Sequence, residues 1–349
     1  MKKFTLSILI LLLASALLFA AGAKETQVTG ALISYTDDLD RTISIPESAS
    51  SIAPSGNVSQ MALYALAPET LAGWSSKLST EAKALFLSEV SDKPVFGTFY
   101  GKKANLNKEA LMASGAEFVL DVGDIKPSKE AMTEDLDKLS SEIGMPVIFL
   151  SGDLDGYPIL FEKLGTLLGK ETKAKLLSDF ANEALLYGRK MNQDPTKTTR
   201  VYYSVSDDGL EAVESGSVHN EVLEYVGIEN VVPKSFSSAN GLVSLESLYK
   251  WNPEAILLTS EAAYETVMSD KAWSVLDAVK NKRVYLLSAN PYPLIDRPTS
   301  IQRLLGIYLI DALLYGNVDL AVEKTIEYYE LFYHYSLDND EAMSILGLK

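Results

Sequence analysis

Cysteine is absent from all 349 residues. The chain therefore has no disulfide, and no thiol for nucleophilic or thiolate–metal chemistry. It also has no cysteine on which a lipid anchor could be built. Histidine occurs only twice, as His219 and His334, far apart. No HExxH, CxxC or paired-histidine spacing exists, which argues against a dedicated zinc site or a c-type haem. Lysine and arginine never run longer than two, and the formal net charge is −16. Phosphate backbones are gripped by basic clusters, so nucleic acid is not an expected partner. No GxSxG elbow is present. "GTFYGKKAN" and "GTLLGKET" echo a phosphate loop, but both place three residues between the glycines instead of four, and neither has Ser or Thr after the first lysine.

One long apolar run exists, and it is N-terminal. Lys2 and Lys3 precede an apolar stretch from Leu6 to Phe19, followed by Ala21-Gly22-Ala23. This is the grammar of a cleaved secretory signal, residues 1–23, with a mature start near Lys24. No later run approaches the roughly 20 residues of a spanning helix. Export without a lipid-anchor cysteine makes a periplasm the expected location. The remainder, about 326 residues, is more than one hydrophobic core usually serves, so two lobes are expected. At 47% hydrophobic and 22% charged, the composition is that of a globular protein.

Two stretches alternate strand and helix patterns. In the first, "DDLDRTISIP" predicts a hairpin, "SSIAP", "ETLAGW" and "KPVFG" short strands, and "NVSQMALYALA" a helix. "FVLDVG" and "PVIFLSG" are fully apolar runs bounded by Gly and Pro, as buried parallel strands require. In the second, "RVYYSV", "AILLTS" and "RVYLLS" are the strands. Between them, Tyr157 to Asn192 is nearly all helix former, with Gly165 and Gly169 marking a break before a helix of roughly 20 residues. The fold expected is α/β: an N-terminal lobe at 24–156, a helical connection at 157–196 and a C-terminal lobe at 197–349, with a ligand cleft between the lobes.

The lobes share a sentence. "NLNKEALMASGAEFVLDVG" and "VSLESLYKWNPEAILLTS" place Glu109 and Glu246 137 positions apart, and Glu117 and Glu254 the same distance apart. Near the C-terminus, Tyr329 with Tyr333 and Tyr328 with Phe332 stand at i, i+4, a core-packing stripe. Asp338 and Glu341 form a capping-box pattern. No set of residues assembles a catalytic centre, so no enzyme, cofactor or dedicated metal site is expected, and whether side chains coordinate the metal of a bound chelate stays open.

"DDLDRTISIP", "GTFYGKKANLNKEAL", "VSLESLYKWNPEAILL", "VKNKRVYLLSANPYPLIDRPTSIQRLLGIYLIDALLYG" and "ELFYHYSL" together resemble the metal-chelate class of ABC-transporter substrate-binding proteins. That class takes up ferric siderophores, haem and cobalamin, with molybdate and tungstate binders as relatives. The resemblance implies two α/β lobes joined by one long rigid helix, a monomer, and a ligand that is an iron-type metal chelate or, alternatively, an oxyanion. It also implies one glutamate per lobe docking on permease subunits, at the positions of Glu109 and Glu246. The usual "NPD" stands here as "NPE" at Asn252 to Glu254 and as "GAE" at Gly115 to Glu117. An enzyme on a related fold would need a metallocluster, and an adhesin would have no cleft.

Five residues are candidates for ligand contact. Tyr100 lies between Gly97 and Gly101 and offers a phenolate or a stacking ring. Arg297 could grip an oxyanion bidentately or pair internally with Asp296. Tyr292 is fixed between Pro291 and Pro293. His219 could cap a helix or face the cleft, and Tyr203 could face the cleft or the core. His334 is expected to be structural.

Overall fold

The computed structural model describes residues 31–99, 104–125, 128–234, 236, 241–289 and 291–348. The signal-sequence expectation therefore lies outside the described residues, as does Tyr100.

Strands β1 (Leu32–Thr36) and β2 (Thr42–Pro46) pair as the antiparallel hairpin. Its turn has a task. Asp37 accepts from the Phe149 amide at 3.1 Å and Asp38 from the Ser151 amide at 2.8 Å, which covers the open edge of the first sheet. That sheet is parallel, in the order β3 (Ile52–Pro54), β4 (Phe118–Gly123), β5 (Val147–Ser151). Helices α1 (Asn57–Leu66), α2 (Lys108–Ala113) and α3 (Lys129–Ile143) join its strands. "ETLAGW" and "KPVFG" do not become full strands. They contribute single parallel bridges, Leu71 to Ile52 and Trp74 to Val95. The approach is close because Gly73 has no side chain: a Cβ there would meet the Pro94 oxygen at 2.4 Å.

Helices α4 (Tyr157–Leu168) and α5 (Glu171–Asn192) follow. Gly169, at φ 62°, ends α4. Gly165 does not mark a break. It is buried within α4, and a Cβ there would meet the Ala174 Cβ at 2.4 Å, so it permits α4 and α5 to pack closely. The second sheet is also parallel, in the order β7 (Glu229–Asn230), β6 (Arg200–Ser204), β8 (Ala255–Leu258), β9 (Val284–Leu286). Around it lie α6 (Glu221–Tyr225), α7 (Leu245–Trp251), α8 (Glu261–Ser269), α9 (Arg303–Tyr315), α10 (Val318–Tyr328) and α11 (Asn339–Leu346). The two sheets define two lobes.

The doubled sentence has one structural meaning in both lobes. Asn107 caps α2 and Ser244 caps α7. Leu111 and Leu248 anchor those helices inward, each fully buried. Gly115 and Asn252 then take positive φ, 72° and 42°, to turn the chain into β4 and β8. Glu117 and Glu254 lock the start of the neighbouring strand. The Glu117 carboxylate accepts from the Ser50 and Ser51 amides at 2.7 and 3.3 Å, and Glu254 accepts from the Arg200 amide at 2.8 Å.

The lobes are joined by more than α5. A π-turn, Tyr329–Tyr333, follows α10 and reaches back to α1. The Tyr64 hydroxyl donates to the Tyr333 carbonyl at 2.9 Å, and His334 Nε2 bonds the Tyr64 carbonyl at 3.0 Å. Tyr328 stacks on Phe332 at 4.3 Å between centroids, and Tyr329 on Tyr333 at 4.4 Å. All four are buried in one core that runs from Ile52 and Leu120 in the first lobe to Val201 and Leu257 in the second. Phe332→Ala should therefore destabilise the protein by about 3–5 kcal/mol, with one urea transition for both lobes. A loss below about 1 kcal/mol, or two separate transitions followed by circular dichroism, would contradict this shared core.

Candidate functional site

Ligands of open α/β sheets sit at the carboxyl ends of the strands. On the second lobe that position is held by the loop between β9 and α9. Pro291 and Pro293 fix φ on either side of Tyr292. Further along, Asp296 is fully buried. A carboxylate without water needs donors, and three converge on it. His219 Nδ1 lies 2.6 Å from Oδ1, Arg297 Nε lies 3.2 Å from Oδ2, and the Tyr203 hydroxyl lies 3.5 Å from Oδ2.

This arrangement sets what each residue presents. A hydrogen on His219 Nδ1 directs the imidazole Nε2 away from Asp296. Arg297 spends only Nε on the carboxylate. Its side chain is 49% exposed, which leaves the two terminal nitrogens for a bidentate partner. Its backbone sits at φ 47°, a costly conformation for arginine, and the pairing with Asp296 helps hold it there. Tyr203 does not open to the cleft. It stands on the interior strand β6, is fully buried in the core and touches the site only through Asp296. Burial pushes its hydroxyl pKa well up.

The first lobe answers with neutral polar groups at the start of α1. Gln60, fully buried, accepts from the Ser75 amide at 2.9 Å through Oε1 and lies 2.7 Å from the Ser75 hydroxyl. Its amide nitrogen donates to Asn57 Oδ1 at 3.2 Å and to the Tyr292 hydroxyl at 3.1 Å. The hydroxyls of Ser75 and Ser76 also reach Asn57, at 3.1 and 3.3 Å. The Gln60–Tyr292 bond crosses from one lobe to the other. Burial pushes Tyr292 up to about 12, so its hydroxyl keeps its proton at neutral pH.

A buried arginine ties the lobes together near their connection. Arg303, at the start of α9, pairs with Glu221 and donates to the Tyr157 hydroxyl at 2.8 Å, where α4 begins. Burial raises the Glu221 pKa, and Asp124 and Asp153 of the first lobe raise it further. Among the described residues, no group of three or more His, Cys, Asp or Glu is placed to hold a metal ion. An acidic cavity of about 280 Å³ lies in the first lobe, lined by Asp121, Asp124, Asp135, Met132 and Phe149. Arg297 is not part of it.

The structure thus brings His219, Arg297 and Tyr203 together on one carboxylate and places Tyr292 against the opposite lobe. Glu109 and Glu246 are elsewhere, exposed in the first turns of α2 and α7. Gln60, Asp296 as an organiser, and Arg303 were missed by sequence reasoning. Gln60 had one signal: Ser59 and Gln60 interrupt an otherwise apolar buried helix. Asp296 was legible only as a partner for its neighbour Arg297; His219 and Tyr203 come to it from 77 and 93 residues away.

Asp121 supplies a pH test. It is buried at the end of β4 and takes a hydrogen bond from Ser55, yet burial pushes its carboxyl from 3.8 up to about 6. The folded protein therefore binds a proton here between about pH 4 and 6 that the unfolded chain has lost, so this group lowers stability as pH rises through that window. Asp121→Asn should stabilise the fold at pH 7 by up to about 3 kcal/mol, with the gain vanishing near pH 4. Urea midpoints that fall at pH 7 would contradict it.

Two parallel α/β lobes present a polar wall at facing strand ends, and known proteins similar to this chain are solute-binding proteins. The model of the periplasmic binding protein family matches residues 125–291. The molybdate-binding protein MolA of Haemophilus influenzae is 26% identical over 371 aligned positions, covering 96% of this chain and 98% of MolA. An ABC transporter solute-binding protein from Sulfurospirillum deleyianum is 26% identical, with a TM-score of 0.79 over 89% of this chain and 98% of that one. The structure of MolA bound to molybdate shares the fold, at 22% identity and a TM-score of 0.62 over 88% of this chain and 99% of that one. The chain is similar in sequence and fold to periplasmic binding proteins of ABC transporters. These relatives bind solutes and are not enzymes. No helix among the described residues is long and apolar enough to cross a membrane.

Proposed function

We propose that the protein captures a compact, oxygen-rich anion of the molybdate type between its lobes and delivers it to a membrane permease. The observation that carries this reading is the donor wall on Asp296. The one buried carboxylate there is already occupied, and what remains to donate to a ligand is the Arg297 guanidinium and the hydroxyl of Tyr292. Such a set suits an anion and offers no free carboxylate to a bare cation. The first-lobe wall adds the half-buried Ser76, while the Ser75 hydroxyl is held inside by Gln60 and Asn57. The 3.1 Å bond from Gln60 to Tyr292 favours a small ligand, because the lobes touch at that point.

The sequence alone ranked an iron-type metal chelate first and an oxyanion second. The donor set supports putting the oxyanion first in this proposal. The chelate stays as the second reading, supported by the Tyr292 ring beside the donors, which could lie against a ligand plane. The long-range field of an acidic chain opposes anions, but screening over roughly 8 Å at physiological salt leaves the local charge of Arg297 to decide.

Calorimetric titration with molybdate, tungstate, sulfate, haem and ferric siderophores separates the readings. Arg297→Ala should weaken the best oxyanion at least tenfold, or about 1.4 kcal/mol, without changing the far-UV spectrum. Unchanged affinity would place the site elsewhere, and a response to ferric chelates alone would select the second reading.

Docking falls to Glu109 and Glu246 in this proposal. Each helix that carries one runs from the carboxyl-end side of its sheet to the opposite side. Asn107 bonds the Phe96 carbonyl, and Phe99 bonds the Ser55 carbonyl at the end of β3, whereas Glu117 bonds Ser51 at the start of β3. In the second lobe Val243 bonds Leu210, beside the end of β6, and Glu254 bonds Arg200 at its start. Both glutamates therefore stand on the cleft side of their lobes. Exposed charges of this kind govern association more than stability. Glu109→Ala combined with Glu246→Ala should abolish uptake of labelled molybdate by cells and leave ligand affinity within twofold. Normal uptake by the double variant would refute docking through this pair.

A further inference from the structure

Met112 and Tyr249 are exposed large apolar side chains, at 59% and 42%. They stand 137 positions apart, the spacing that relates Glu109 to Glu246 and Glu117 to Glu254. Each follows its glutamate by three residues on α2 or α7, so acid and apolar group are neighbours on one helix face. Leu111 and Leu248, the residues just before them, point inward and are fully buried, which fixes the outward aim of that face. The Tyr249 hydroxyl donates to the Ala272 carbonyl at 2.8 Å, and this holds the ring against the surface with its remaining face open. The internal repeat has thus kept an apolar residue exposed twice, where solubility alone would favour a polar one.

We propose that each lobe docks through an acid-plus-apolar pair, Glu109 with Met112 and Glu246 with Tyr249. The partner is a membrane permease that presents one subunit twice, each copy offering a basic side chain beside an apolar pocket. The proposal rests on the importer reading and adds the apolar half of the contact. Two equivalent patches on one chain are matched by a partner with two equivalent copies. Charge sets the sign of the contact: the exposed glutamate of each pair meets a basic side chain. The division of labour follows from the chemistry. Exposed carboxylates steer the approach and are screened by salt, whereas burying a methionine and a tyrosine ring slows dissociation.

The test places the photo-crosslinker benzoylphenylalanine at position 112, at 249 or at both, in the full exported chain added to membranes of the organism that makes it. Both single positions should yield an adduct with the same multi-spanning membrane protein, and the double probe should yield one chain joined to two copies of it. Glu109→Arg with Glu246→Arg should reduce these adducts at least tenfold. If probes at 108 and 245 label that protein while those at 112 and 249 do not, the apolar half is wrong and the importer reading stands. If 112 and 249 label different proteins, the partner with two equivalent copies is overturned. If they label only a soluble protein, or nothing is labelled from any of the four positions, docking on this face is overturned together with its apolar half.

Discussion

Asp296 has no exposed surface, and a carboxylate removed from water is stable only among donors. That requirement shapes the second-lobe side of the cleft. It draws His219 from the loop before α6, Tyr203 from the interior strand β6 and Arg297 from its own loop onto two oxygen atoms. Each donor is oriented by the bond it makes, and what it has left over points elsewhere. For Arg297 this remainder is a charged fork whose two terminal nitrogens bond no other described residue. In the proposed function this wall stands ready before the ligand arrives, and preorganisation reduces the ordering that binding would otherwise demand.

The frame that holds this wall opposite the first lobe is stiffened at several places. The helical hairpin α4–α5 carries the chain across, Arg303 joins α9 to the start of α4, and the stacked aromatic turn after α10 returns to Tyr64. The Gln60–Tyr292 bond spans the lobes directly beside the polar wall. A shared hydrophobic core resists large relative motion because packed interfaces change in discrete steps rather than by smooth deformation. Small adjustments of side chains around a ligand fit this frame better than a wide hinge.

Much of the fold was readable because its signals are local. Apolar runs bounded by Gly and Pro gave β4 and β5, Ser128 and Gly144 bracket α3 as its caps, and Asp338 with Glu341 forms the capping box of α11. The 137-residue echo was legible for a deeper reason: a strand lock, a positive-φ turn and an inward leucine recur together in both lobes. What failed was long-range. "ETLAGW" has strand composition but pairs through two isolated bridges, and Gly165 reads as a breaker until the close approach of Ala174 is seen. Tyr203 could not be assigned to core or cleft without knowing that β6 is an interior strand. Gln60 and Asp296 gain their place in the wall from Tyr292 and His219, 232 and 77 residues away.

Location of the bound anion tests the proposed site most directly. Crystals grown with molybdate and measured at the molybdenum absorption edge would show the metal atom without ambiguity. Capture by the wall on Asp296 predicts one anomalous peak between the lobes, its oxygens within hydrogen-bond reach of the Arg297 terminal nitrogens and close to Tyr292. A peak in the acidic cavity beside Asp124 and Asp135, or none between the lobes at saturating molybdate, would contradict it.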